Sequence, residues 1–202
     1  VCQYVQLQNR CNRRAPGAGQ SKLQRFAGSS ALFVQTARPQ DQVLLLDAYP
    51  AVHEDLLRNI ELLQGPLERK DVQMLCADSY RWLLQQEVSL FGNKGVVFLD
   101  PPYDSVNSFH IWNLFMIQFL RTRWPSLTVA LWYPFIDEVQ TANLHKRLAD
   151  LGVGDVLVAE MEVERPFQEQ AFRSGVALMG APVDLKSKLV GELSSLGELF
   201  GN

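Results

Sequence analysis

Cysteine and histidine are both scarce, at three each in 202 residues: Cys2, Cys11 and Cys76, and His53, His110 and His145. None of them falls at CxxC or metal-ligand spacing, which argues against a metal centre and a disulfide framework and for reduced thiols. No apolar run approaches the ~18 residues of a membrane span, and no secretory-type segment opens the sequence. The expectation is a soluble cytoplasmic protein, or an organellar one in a eukaryotic cell, with neither metal nor membrane as partner. Acids are missing from residues 1–40, which carry Arg10, Arg13, Arg14, Lys22, Arg25 and Arg38, leaving 13 basic against 22 acidic side chains in the remainder. Such a basic block can form a local phosphate-binding stripe even though the net charge is −3. A solvated loop or an organelle-targeting tract shares that composition. An initiator methionine is also lacking, and a sequence opening on Val1 within an irregular stretch reads as a fragment.

What is present suits one globular domain. At 47% hydrophobic there is ample material for a core. Residues 1–25 are polar and basic, with Pro16, Gly17 and Gly19 as breakers, and read as a loop; the domain proper runs from 26 to 202. Ala15 to Gly19 imitates a glycine-rich cofactor loop. Such a loop needs a buried strand before it, and Gln8 to Arg14 cannot be one.

From there strands and helices alternate. Strands are expected at Gln42 to Asp47, Val72 to Asp78, Val96 to Leu99, Leu127 to Pro134, Asp155 to Val163 and Gly175 to Met179. Ser29 reads as the N-cap of a helix through Ala31 to Val34. Further helices are expected from Pro50 to the Gly65-Pro66 stop, Ser79 to Val88, Asn107 to Arg123, Ile136 to Leu151 and Leu185 to Leu199. Three strands close on acids, Asp47, Asp78 and Asp100. The pattern predicts a doubly wound α/β sheet, and the last two strands, joined without a helical pattern, predict an antiparallel hairpin. A parallel sheet ending in an antiparallel pair is the plan of class I (Rossmann-like) methyltransferases.

Chemistry concentrates at Asp100-Pro101-Pro102-Tyr103. Two prolines in succession lack N–H groups and stop the strand, leaving an acid and free carbonyls at its carboxyl end, where open α/β sheets place their ligands. An acid, a free carbonyl and the flat ring of Tyr103 suit a planar base with an exocyclic amine: the oxygens accept its N–H groups and the ring stacks on it. A proline turn with a surface tyrosine is the bland alternative.

The tetrad resembles that of amino-methyltransferases acting on nucleobases. With Phe26-Ala27-Gly28-Ser29-Ser30, Leu45-Leu46-Asp47-Ala48-Tyr49-Pro50, Ala77-Asp78-Ser79-Tyr80 and Ala130-Leu131-Trp132-Tyr133-Pro134 in the same order and spacing, residues 24 to 185 resemble the RlmJ-type large-subunit ribosomal RNA adenine-N6 methyltransferases. The resemblance implies S-adenosylmethionine as cofactor and ribosomal RNA as partner, with a monomer expected. It places cofactor contacts on Ser29, Asp47, Asp78, Ser79 and Asp100, catalysis on Asp100, Pro101 and Tyr103, and the base pocket on Tyr103, Trp132 and Tyr133.

Departures accompany it. Asp47 stands where the family usually has glutamate, Ser79 where glycine is common, and Ala27-Gly28-Ser29 where Pro-Gly-Ser is usual. The family's histidine-rich segment, first strand, glycine loop and helical insertion are not in the sequence. Without a central strand two sheet edges are left unpaired, and the chain alone is expected to fold poorly and not to methylate. Two other readings share the tetrad or the basic block: a DNA adenine or cytosine or ribosomal guanine-N2 amino-methyltransferase, and a non-catalytic RNA-binding remnant.

Overall fold

The computed structural model of the protein describes residues 27–63, 71–92, 94–103, 106–163 and 172–190. The expected basic loop over 1–25 lies outside them. The chain divides into two compact units, Val1–Gln86 and Glu87–Asn202.

In the first unit, helix α1 (Ser29–Thr36) leads to β1 (Gln42–Asp47), α2 (Pro50–Leu63), β2 (Asp71–Cys76) and α3 (Ser79–Leu84). Strands β1 and β2 pair in parallel from Gln42 opposite Asp71 to Asp47 opposite Cys76. Helix α2 is the crossover that a parallel pair requires. Its apolar positions recur at helical spacing, and Ile60 is buried while Leu56 and Leu57 are half-buried.

The second unit opens with a 3-10 turn at Val88–Phe91 and continues through β3 (Gly95–Leu99), α4 (Val106–Arg123), β4 (Leu127–Pro134), α5 (Glu138–Asp150), β5 (Val156–Val163) and β6 (Phe172–Met179). The sheet order is β3-β4-β6-β5. Strand β3 runs parallel to β4, and β6 is inserted antiparallel between β4 and β5. This is the expected mixed sheet of a class I methyltransferase fold, ending in an antiparallel hairpin. The strands belong to two sheets, a pair and a set of four. No strand precedes α1 among the described residues.

Helix α4 buries Leu114, Met116, Ile117 and Leu120, and β4 buries Leu127, Val129, Ala130, Leu131 and Tyr133. Ile111 and Phe115 of the same helix are exposed. Arg121 locks the end of α4 to the sheet by donating to the carbonyls of Pro125 (2.6 Å) and Leu127. Gly180, at φ +70°, is required there, because a Cβ would fall 2.4 Å from the Arg121 Nη1 and the left-handed backbone favours glycine.

Several element ends differ from the sequence expectation, each for a local reason. Gly28, not Ser29, is the N-cap of α1: it is extended at φ −72° and ψ 179°, and its carbonyl accepts from Leu32 N at 3.1 Å. Helix α3 stops at Leu84 rather than Val88, because Gln85 N and Gln86 N turn back to Trp82 and Leu83 carbonyls in i to i−3 bonds and Glu87 is extended. Helix α5 starts at Glu138 rather than Ile136, since the Asp137 carboxylate caps it by accepting from Gln140 N at 2.7 Å. Residues 185–190 are helical, and the rest of the expected terminal helix lies outside the described residues.

Candidate active site

The carboxyl end of β3 is set by the packing of the strand itself. Val97 and Leu99 are buried, and Gly95 opposite Leu127 brings β3 so close to β4 that a Cβ would sit 2.8 Å from the Leu127 Cδ2. The ladder stops at Leu99 because the two prolines have no N–H to donate. Asp100 follows, exposed at the rim, and the protein around it pushes its carboxyl above the usual carboxylate range by partial burial. Among the described residues neither the Asp100 carboxylate nor the Pro101 carbonyl receives a hydrogen bond. Both remain acceptors.

Tyr103 is anchored at the matching end of β4. Its hydroxyl donates to the Trp132 carbonyl, and its ring meets the Trp132 indole edge-to-face, with centroids 5.6 Å apart and planes 65° from parallel. A side chain tied at its hydroxyl end and braced by an indole has little rotational freedom left for its ring. Asp100, Pro101, Tyr103 and Trp132 are thus gathered at one edge of one sheet.

Tyr133, expected beside Trp132, is placed differently. Adjacent strand residues point to opposite faces, and Tyr133 is only 1% exposed while Trp132 is half-buried. The Tyr133 hydroxyl lies 2.7 Å from His145 Nε2 and donates to Glu160 Oε1 at 3.0 Å. Burial, and then the Glu160 bond and charge, raise the phenol well above its ordinary range.

In the first unit the expected cofactor residues all lie at element ends. Asp47 ends β1, and its Oδ1 accepts from Tyr49 N at 2.8 Å, turning the chain into α2. Asp78 is the N-cap of α3, its Oδ1 accepting from Tyr80 N (3.0 Å) and Arg81 N (3.1 Å). In each carboxylate the local turn takes one oxygen and leaves the other without a partner among the described residues. Ser79 and Ser29 are the first helical residues of α3 and α1, both half-buried. Among the described residues no group of His, Cys, Asp and Glu could hold a metal ion, and no helix is long and apolar enough to cross a membrane.

Residues 4–201 match the sequence model of the family described as ribosomal RNA large subunit methyltransferase D, RlmJ. The chain belongs to this RlmJ family. A curated relative, ribosomal RNA large subunit methyltransferase J of Haemophilus influenzae, is 25% identical over 191 residues, which is 94% of this chain and 63% of the relative. The chain therefore spans a little under two thirds of that protein's length. A crystal structure of a protein from Legionella pneumophila is similar at TM-score 0.75 and 18% identity, covering 98% of this chain and 69% of that one, and supports the fold.

In this RlmJ-family chain the partners of Tyr133 escaped the sequence reading. His145 reads as one of three scattered histidines and Glu160 as one acid of many. Gly175 lies opposite both Tyr133 and Glu160 in the ladders, and a Cβ there would fall 2.3 Å from the Tyr133 Cζ. A glycine inside a strand was the available signal for a ring crossing over it.

Proposed function

We propose that the chain serves, within the intact protein, S-adenosylmethionine-dependent N6-methylation of an adenine in large-subunit ribosomal RNA. Membership of the RlmJ family supports the methyltransferase reading. The observation that carries the choice of an amine is a pair of acceptors with no partner among the described residues, the Asp100 carboxylate and the Pro101 carbonyl, beside the tethered ring of Tyr103.

The exocyclic nitrogen of adenine is a poor nucleophile, because its lone pair is delocalised into the ring. Asp100 and the Pro101 carbonyl, by accepting its two N–H groups, hold the nitrogen nearer to tetrahedral and expose that lone pair. Alignment and negative charge beside the positive charge developing on nitrogen lower the barrier. Tyr103 and Trp132 offer aromatic surface for the base. S-adenosylmethionine supplies the methyl group. The carboxylate oxygens of Asp47 and Asp78 that have no partner among the described residues fit its donors, the ribose hydroxyls and the adenine amine respectively, and Ser29 and Ser79 are further proposed contacts. The basic side chains of residues 1–40 are assigned to RNA phosphates, so RNA affinity should fall steeply with salt.

The test supplies labelled S-adenosylmethionine and undermethylated large-subunit RNA to the intact protein, then identifies the modified nucleoside by mass. N6-methyladenosine is expected. N4-methylcytosine or N2-methylguanosine would move the assignment to another amino-methyltransferase, and RNA binding without product would favour the non-catalytic reading.

A further inference from the structure

One buried phenol joins four elements behind the candidate site. Tyr133 lies near the end of β4, its ring crosses Gly175 of β6, and its hydroxyl meets His145 of α5 at 2.7 Å and Glu160 of β5 at 3.0 Å. A phenol has one proton to give, and Glu160 Oε1 takes it. The His145 contact is then filled by Nε2–H donating to the phenol oxygen. The third side of the triangle, His145 Nε2 to Glu160 Oε1, is 3.6 Å, and the His145 and Tyr133 rings meet edge-on at 5.6 Å. Every polar atom of the Tyr133 side chain is thereby committed, and no rotamer change can leave it so.

The residue immediately before this anchor supplies the carbonyl that holds Tyr103. Trp132 O accepts the Tyr103 hydroxyl, and β4 ends two residues further on at Pro134. A strand end frays unless something fixes it, and a shift of β4 by a fraction of an ångström would carry the Trp132 carbonyl and indole with it. A second tie lies just beyond. Arg173 of β6 stacks its guanidinium 3.6 Å from the Phe135 ring centroid, and its carbonyl accepts from Phe135 N at 3.0 Å.

We infer that Tyr133, held by His145 and Glu160, is a positioning residue that fixes the end of β4 and through the Trp132 carbonyl sets the orientation of the Tyr103 ring. The inference rests on the proposed role of Tyr103 in stacking on the base, but its geometric part stands without it. A cluster of Tyr, His and Glu is more than packing requires. An apolar side chain would fill the space over Gly175 without two polar partners, whereas hydrogen bonds also fix direction.

The experiment labels the five tyrosines with 3-fluorotyrosine and follows fluorine resonances of the whole chain, with Tyr103→Phe identifying the Tyr103 signal. In Tyr133→Phe, which keeps the ring and loses the hydroxyl, the Tyr103 resonance should move by more than its linewidth. Glu160→Ala should move it in the same direction, and Glu160→Gln, which retains an acceptor oxygen, should restore most of its position. Glu160 lies at the rim, so these two variants keep the test valid even where Tyr133→Phe unfolds the chain. A Tyr103 resonance unmoved by both Tyr133→Phe and Glu160→Ala would overturn the inference, whatever those variants do to the melting temperature. In methylating protein, Tyr133→Phe should lower kcat severalfold with the cofactor KM unchanged. An unchanged kcat would count equally against it. A wild-type protein that methylates nothing, yet shows the fluorine shift, would remove the proposed function and leave the positioning network standing.

Discussion

Among the described residues, sixteen apolar side chains are buried in Glu87–Asn202 and four in Val1–Gln86: Ala27, Val34, Ile60 and Leu83. The difference follows from how the strands are flanked. Strand β4 has β3 on one side and β6 on the other, and five of its residues are buried apolar groups. Strands β1 and β2 have only each other as partners among the described residues, and none of their side chains is fully buried. Parallel strands are normally covered on both faces, and a two-stranded sheet has little stability of its own. The residues proposed to hold the target base thus stand on the better-packed frame, while Asp47 and Asp78, proposed for the cofactor, stand on the less-packed one.

Leu131→Ala provides the strongest challenge to that contrast. Leu131 is fully buried in the middle of β4, so its truncation should cost about 2–5 kcal/mol, whereas Leu45→Ala in half-buried β1 should cost less than half as much. Urea unfolding measures both, and equal costs would remove the contrast. Gly175→Ala, which drives a Cβ into the Tyr133 ring, should destabilise by about 1–3 kcal/mol in the same assay. Amide exchange sharpens the comparison without mutation: protons of β1 and β2 should exchange at least about tenfold faster than those of β4 and β6, a difference of ~1.4 kcal/mol in opening free energy.

Smaller effects separate function from frame. Asp78→Ala removes two backbone bonds at the start of α3 and should cost about 1 kcal/mol by thermal unfolding, in addition to any loss of cofactor affinity. Asp100→Asn should leave stability nearly unchanged or raise it by about 0.5 kcal/mol or less. The sign follows from its raised carboxyl: partial burial disfavours the charged form, so the penalty is present at neutral pH and disappears as the group protonates at acid pH. The advantage of the asparagine, read from unfolding at pH 7, should therefore vanish well below the carboxylate range.

The sequence was most readable where backbone chemistry is local. Pro101 and Pro102 dictate the stop of β3 and so place Asp100 at a strand end without reference to anything distant. The alternation of strands and helices, and a sequence without helical pattern before β6, disclose the mixed sheet. Less was readable where the outcome depends on register. Nothing near Tyr133 in sequence reports that β6 comes between β4 and β5, and only that insertion brings Gly175 under its ring and Glu160 to its hydroxyl. Asp78 was read as a strand end because an acid after an apolar run fits that role. Its carboxylate prefers the free N–H groups of α3, which ends the strand two residues earlier.

In the proposed reaction the Asp100 carboxylate accepts from the reacting amine. The direct measurement is the initial rate of N6-methyladenosine formation in large-subunit ribosomal RNA by the intact wild-type protein and by its Asp100→Ala variant, at saturating cofactor and with cofactor binding measured alongside. The predicted result is a rate below about a tenth of wild type, a loss of more than ~1.4 kcal/mol in transition-state stabilisation, with cofactor binding still measurable. A variant that methylates at more than about a tenth of the wild-type rate would contradict the role assigned to Asp100.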